Sequence, residues 1–172
     1  TQEGDWDKVQ SLQRLMLRST SNAALSIRRV SQVNQGKDTP GVDKVLVKTP
    51  AERGKMLNYI VNNTTPWRAV PVKRVYIPKA NGKQRPLGIP TVQDRVLQAV
   101  VKNALEPSWE PRFEANSFGF RPGRSVHDAI TQCHSRLRKG HDLWVLDADI
   151  KGAFDHISHA YILNAIGAIP GR

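Results

Sequence analysis

The residues from Val70 to Ile89 constrain this chain most, because they switch abruptly from helical to extended character. Val70-Pro71-Val72-Lys73-Arg74-Val75-Tyr76-Ile77 is β-branched and aromatic, Asn81-Gly82 is a hairpin signal, and Arg85-Pro86-Leu87-Gly88-Ile89 returns. Pro78 and Pro86 remove ladder donors, so these strands belong at an edge or are irregular. Such a ribbon carries its polar groups outward. Its loop length decides which of them meet. With a two-residue loop Pro78 opposes Arg85, and Lys79 faces away from Arg85. A three-residue loop, Ala80-Asn81-Gly82 with Gly82 left-handed, pairs Ile77 with Arg85 and Lys79 with Lys83. Lys79 and Arg85 then share a face and can grip one triphosphate, arginine through its fork and lysine as a point charge. The competing reading is ordinary surface charge on a hairpin.

The rest of the chain reads mainly as helix. Val9, Leu12, Leu15 and Met16 recur at helical spacing from Trp6, and Asn22 is placed to cap a second helix holding Leu25 and Ile27. Arg14, Arg18, Arg28 and Arg29 form the opposite, charged face. Residues 34–43 are rich in turn formers and read as a loop, and a short helix follows from Pro50 to about Val61. Thr91 with Asp94, and Ser125 with Asp128, have the spacing of capping boxes. The first opens a helix expected to stop at Pro107. The second opens one with Val126, Ile130, Cys133 and Leu137 on one face, Cys133 as a small buried hydrophobe, and Gly140 as terminator. Between them, Phe118, Phe120, Arg121 and Arg124 share a loop stiffened by Pro122. Arginine there can hold phosphates while an aromatic packs against a base or sugar, and at least one phenylalanine is expected to anchor the loop inward.

Leu143-Trp144-Val145-Leu146 reads as a buried strand leading into Asp147-Ala148-Asp149-Ile150, with a short helix beyond Asp155-His156-Ile157-Ser158. A carboxylate at a strand's exit suits a hard cation such as Mg²⁺, and Asp147 lies on the same face as Asp149. Solvated turn formers are the alternative, and helix capping for Asp155. Two-metal phosphoryl transfer draws carboxylates from separate segments, and this sequence offers one such cluster.

Charge separates along the chain. The net +11 divides into +5 over residues 1–70, +8 over 71–140 and −2 over 141–172. A polyanion on the basic body and a metal at the acidic end account for both signs, though charge alone does not separate RNA from DNA. A single cysteine excludes an internal disulfide, the five histidines lack metal-ligand spacing, and no apolar run approaches the ~20 residues of a membrane span.

Four separated motifs, in order, resemble group II intron reverse transcriptases, also called maturases. They are residues 39–43 (Thr-Pro-Gly-Val-Asp), 75–90 (from Val75 through Arg85-Pro86-Leu87-Gly88-Ile89-Pro90), 116–125 (from Asn116 to Ser125) and 146–155 (from Leu146 to Asp155). The resemblance implies an α/β (α+β) fold. Residues 1–69 would be a helical, RNA- or template-contacting extension, 70–140 the fingers, and 141–172 the start of the palm of a right-hand polymerase. It implies Asp149 as a catalytic metal ligand, with the Ile150 carbonyl as a second ligand, for Mg²⁺ with Mn²⁺ as substitute. Lys79, Arg85, Lys151, Ala153 and Phe154 would bind the nucleotide, Phe154 excluding a 2′-hydroxyl. Arg14, Arg18, Arg28, Arg29, Lys73, Arg74, Arg121 and Arg124 would bind RNA or template. Expected partners are intron RNA, an RNA template with a DNA primer, and dNTPs. The remaining C-terminal part of the same protein and a second copy are open as polypeptide partners. The expected setting is bacterial cytoplasm or an organelle, with no membrane. The family's Tyr-x-Asp-Asp motif is missing, so the chain is expected to be a fragment without polymerase activity of its own. The rival reading is a non-catalytic RNA-binding module, and a weaker one a Mg²⁺-dependent nuclease on Asp147 and Asp149.

Overall fold

The computed structural model describes residues 4–63, 66–78, 80, 82–138 and 144–166, apart from the side chains of Phe154 and Asp155. It is mainly helical with one antiparallel hairpin among the described residues. Two compact units divide the chain after Pro107. That division differs from the expected boundaries at 69/70 and 140/141.

The first unit opens with α1 (Trp6–Arg18) and α2 (Thr20–Arg28), followed by one π-helical turn, Arg29–Val33. Ser19 breaks the first two helices and caps α2, its hydroxyl accepting from the Asn22 amide at 3.2 Å. Asn22 is therefore not the cap. It is buried within α2, where its Nδ2 donates to the carbonyls of Met16 (2.9 Å) and Val100 (3.1 Å) and its Oδ1 accepts from Asn103 (2.8 Å). A buried amide is tolerated only when its donors and acceptor are satisfied, and here they are.

The expected 34–43 loop contains a 3₁₀ turn at Gln35–Asp38 and then runs irregularly to α3 (Pro50–Asn62). Thr49 and Glu52 form a reciprocal capping box that fixes the start of α3. The core is small and aliphatic: Ile27, Val30, Val47, Val92 and Val96, with Met56, Leu57, Ile60 and Ala99 packed against it. In α4 (Val92–Trp109) the buried apolar positions Val92, Val96, Val100 and Ala104 recur every four residues, one stripe facing α2 and α3's cluster. Pro107 does not stop α4, which runs two residues further. Pro107 lacks the N–H that would bond the Asn103 carbonyl, so it costs α4 one backbone hydrogen bond without ending it.

β1 (Lys73–Pro78) pairs with β2 (Gln84–Ile89), with Ile77 opposite Arg85 and Pro78 opposite Gln84. This is the register of the three-residue loop, and Gly82 has φ +75°, as that loop requires. Lys79 and Asn81 lie outside the described residues. Both strands are edges, which accommodates the two prolines.

The second unit covers residues 108–169 and begins as α4 ends. It holds a 3₁₀ turn at Glu110–Arg112, α5 (Val126–Leu137), α6 (Ala153–His156) and α7 (His159–Ile166). Ser125 and Asp128 cap α5 as the sequence predicts. The expected terminator Gly140 lies outside the described residues. Two expectations fail here. Residues 144–150 form no strand and are exposed, and Cys133 is exposed. Both have one cause: among the described residues of this unit, no apolar side chain is buried, so nothing described pairs with the extended segment or covers the α5 stripe.

Candidate functional site

The hairpin is tethered at its root. Asp94, 3% exposed, accepts from the Trp67 indole Nε1 (2.8 Å), the Val70 amide (3.3 Å) and the Thr91 hydroxyl (2.8 Å). Its own amide donates to Thr91 Oγ1 at 3.1 Å. The carboxylate thus joins the start of α4 to the residues just before β1. Its spacing from Thr91 signals a cap, whereas its reach back to Trp67 leaves no local pattern in the sequence. Arg85, Lys73 and Arg74 are exposed along the ribbon.

A second tether holds the 34–43 loop. The Arg95 guanidinium donates to the carbonyls of Gly36 (2.8 Å) and Thr39, while Nε is buried with no hydrogen-bond partner. Burial pushes its pKa down from the usual arginine value, and Asp43 pulls it back up. Gly41 lies so close to α4's start that an added Cβ would sit 2.5 Å from Thr91 Cα. The Thr-Pro-Gly-Val-Asp run is thereby pinned onto the helix carrying Asp94. Sequence reading missed Arg95, since its acceptors are more than fifty residues away.

Arg14, Arg18, Arg28 and Arg29 are all exposed, as their helical spacing predicts. Arg28 and Arg29 edge a groove of about 540 Å³ lined also by Met16, Leu25, Val33 and Asn103.

In the second unit, the 113–125 loop is built differently from its expected form. Arg121 is 8% exposed at its side chain and salt-bridged to Glu110 at 2.7 Å. Its Nε, Nη1 and Nη2 also donate to Glu110 Oε1 (2.9 Å), Glu114 O (2.6 Å), Ser117 O (3.0 Å) and Glu110 O (3.3 Å), and it lies over the Phe113 ring. A guanidinium this heavily engaged frames its loop. Arg124 donates to Ala115 O at 2.7 Å and covers Phe118. Phe118 is the inward anchor. Phe120 is fully exposed and holds φ +60°, a left-handed backbone costing a non-glycine residue roughly 1–2 kcal/mol.

Asp147, Asp149, Ile150 and Lys151 are exposed and Ala153 is half-buried. Gly152, at φ +61°, turns the chain into α6. An accessible carboxylate beside a carbonyl offers hard oxygen donors that suit Mg²⁺, while no group of three carboxylate, histidine or cysteine ligands occurs among the described residues. The Phe154 side chain and Lys79 lie outside what is described. No described helix is long and apolar enough to cross a membrane.

Sequence comparison defines the class. The profile described as the N-terminal domain of reverse transcriptase matches residues 1–60, and that of reverse transcriptase (RNA-dependent DNA polymerase) matches 77–172. The chain belongs to the reverse transcriptase family. Among its relatives, Protein YkfC of Escherichia coli (strain K12) is 38% identical over 80% of this chain and 38% of its own length. Group II intron-encoded protein LtrA of Lactococcus lactis subsp. cremoris is 45% identical over 56% of this chain and 16% of its own. Nuclear intron maturase 1, mitochondrial, of Arabidopsis thaliana is 38% identical over 45% of this chain and 10% of its own. The chain therefore spans about two-fifths of the first relative and about a sixth of the second.

Proposed function

We propose that this chain supplies the RNA-binding extension, the fingers and the opening of the palm of an RNA-directed DNA polymerase of the group II intron type. The observation that carries this reading is the succession of two reverse transcriptase profiles over residues 1–60 and 77–172. The three-residue hairpin register supports it from structure, because that register sets Arg85 opposite Ile77 on the face proposed to receive the triphosphate. Lys79 completes the grip.

Asp149 and the Ile150 carbonyl would hold Mg²⁺, or Mn²⁺ in its place; the ion would lower the pKa of a primer 3′-hydroxyl and stabilise departing pyrophosphate. Lys151 and Ala153 line the nucleotide, and Phe154 excludes ribose. Arg14, Arg18, Arg28 and Arg29 contact intron RNA or template, joined by Lys73 and Arg74 on the ribbon, with Arg121 and Arg124 shaping the adjoining loop. The polypeptide partner is the rest of a longer protein, or a second copy. The setting is bacterial cytoplasm or an organelle.

Primer extension tests the reading. On an RNA template with dNTPs and Mg²⁺, these 172 residues alone give no extension, and a longer protein containing them does. Asp149→Asn in that longer protein reduces extension at least a hundredfold while leaving RNA affinity unchanged. Extension by the 172 residues alone would falsify the incomplete-site view. Full activity in Asp149→Asn removes the metal role. The net +11 favours a second reading, an RNA-binding module without chemistry. Under it, the longer protein binds structured RNA yet never extends a primer.

A further inference from the structure

The 113–125 loop presents a ring to solvent and spends its arginines on itself. Phe120 is 107% exposed, whereas Phe118, two residues earlier, lies beneath Arg124. Arg121, the next residue, is bonded to Glu110, Glu114 and Ser117, so the backbone carrying the ring is held at both sides. Space beside it is open: a Cβ added at Gly119 or Gly123 would meet nothing within 4 Å. The frame thus holds an aromatic residue at a left-handed φ, a costly conformation, while leaving its ring in solvent. The rigid frame removes in advance the conformational entropy that a flexible ring would lose on binding.

We propose that Phe120 is a stacking platform for an unpaired base of a single-stranded nucleic acid. The proposal rests on the nucleic-acid reading above and names the residue that contacts a base. Two observations favour a base over a protein side chain. The chain carries net +11, and the sequence around the ring is glycine, arginine, proline and glycine, not the apolar surround of a protein hot spot. A base has a π-face whatever its identity, so the contact tolerates any sequence. The platform is independent of Asp149 and requires no metal.

The test uses the whole 172-residue chain and two fluorescent probes of equal charge, a short oligoadenylate and the same backbone without bases. Phe120→Leu and Phe120→Gly bind oligoadenylate about tenfold more weakly than the parent, and Phe120→Trp binds at least as well. All four proteins bind the abasic probe equally. The slope of log affinity against log salt is unchanged, because no cation has been removed. Phe120→Gly also melts no lower than the parent, since glycine adopts this φ freely, so stability and affinity move independently. If Phe120→Leu binds oligoadenylate as the parent does, the platform is wrong and the nucleic-acid reading stands. If the parent binds neither probe, both fall. Equal weakening on both probes with a lower melting temperature makes the ring a support of the fold, and a change in oligomeric state makes it a protein contact; either outcome overturns the proposal.

Discussion

Asp94 is nearly inaccessible, yet it accepts from Trp67, Val70 and Thr91. Replacing it with asparagine keeps the shape but turns charge-assisted acceptors into one amide oxygen and a misplaced donor. Hydrogen bonds to charged groups are worth about 1.5–3 kcal/mol, so Asp94→Asn should lower unfolding stability by about that much. The Trp67 indole N–H resonance should shift with it. An unchanged urea midpoint and an unmoved indole signal would show that the tether carries no load. Asp128 obeys the same chemistry at an exposed position. Hydrogen bonds from the Ser125 hydroxyl and amide hold its pKa below the ordinary aspartate value. A lowered carboxylate pKa stabilises the fold above the ordinary value and loses that contribution as pH falls through the folded one. The α5 cap should therefore persist through the ordinary aspartate titration range and release only at lower pH, visible as a carboxylate titration by NMR. Ser125→Ala should move that titration upward; no movement would mean that the box does not form in solution.

Gly41 and Gly54 give opposite forecasts for one substitution. A Cβ at Gly41 would lie 2.5 Å from Thr91 Cα, 2.8 Å from Thr91 N and 2.9 Å from Pro90 O. All three are backbone atoms, which cannot swing aside, so Gly41→Ala should cost about 1–3 kcal/mol and loosen the loop from α4. Gly54, inside α3, has open space around it, and Gly54→Ala should stabilise by about 0.5–1 kcal/mol. Melting temperatures that move in the same direction for both would refute the close approach. Sequence legibility follows a similar division. The Ser125 box, the Pro50 start of α3 and the left-handed Gly82 of the hairpin were readable, because each signal acts over a few residues. Asn22 satisfying Val100, and Arg95 reaching Gly36, were not, because their partners lie 78 and 59 residues away. Within the candidate site, the hairpin register was legible, whereas the strand expected to deliver Asp149 does not form among the described residues. The inversion of the 113–125 loop, with arginine framed inward and Phe120 outward, was not, since residue type alone does not fix which side chain a left-handed backbone turns to solvent.

The two units differ in what holds them. Every buried residue of the described chain lies between Asn22 and Ala104. In the second unit Val126, Ile130, Trp144, Leu146 and Ile150 are 59–93% exposed, a stripe on α5 and a run with strand-like residues that pairs with nothing described. Burying a side chain of this size yields roughly 1.5–3 kcal/mol, so α5 and residues 144–150, which bury no apolar side chain, have little to set against their chain entropy, unlike the arginine-framed 113–125 loop. Amide hydrogen exchange should therefore separate the two units. Residues 23–30 and 92–104 should be protected as one cooperative block, while 126–137 and 144–166 exchange at nearly the rate of unfolded chain. Within a longer protein of the kind its relatives represent, the second unit should gain protection, and residues 144–150 should gain it through strand pairing. Slow exchange of 126–137 in the 172 residues alone would show that this unit is stable without a partner, and the exposed apolar face would then need an account other than an interface awaiting its complement.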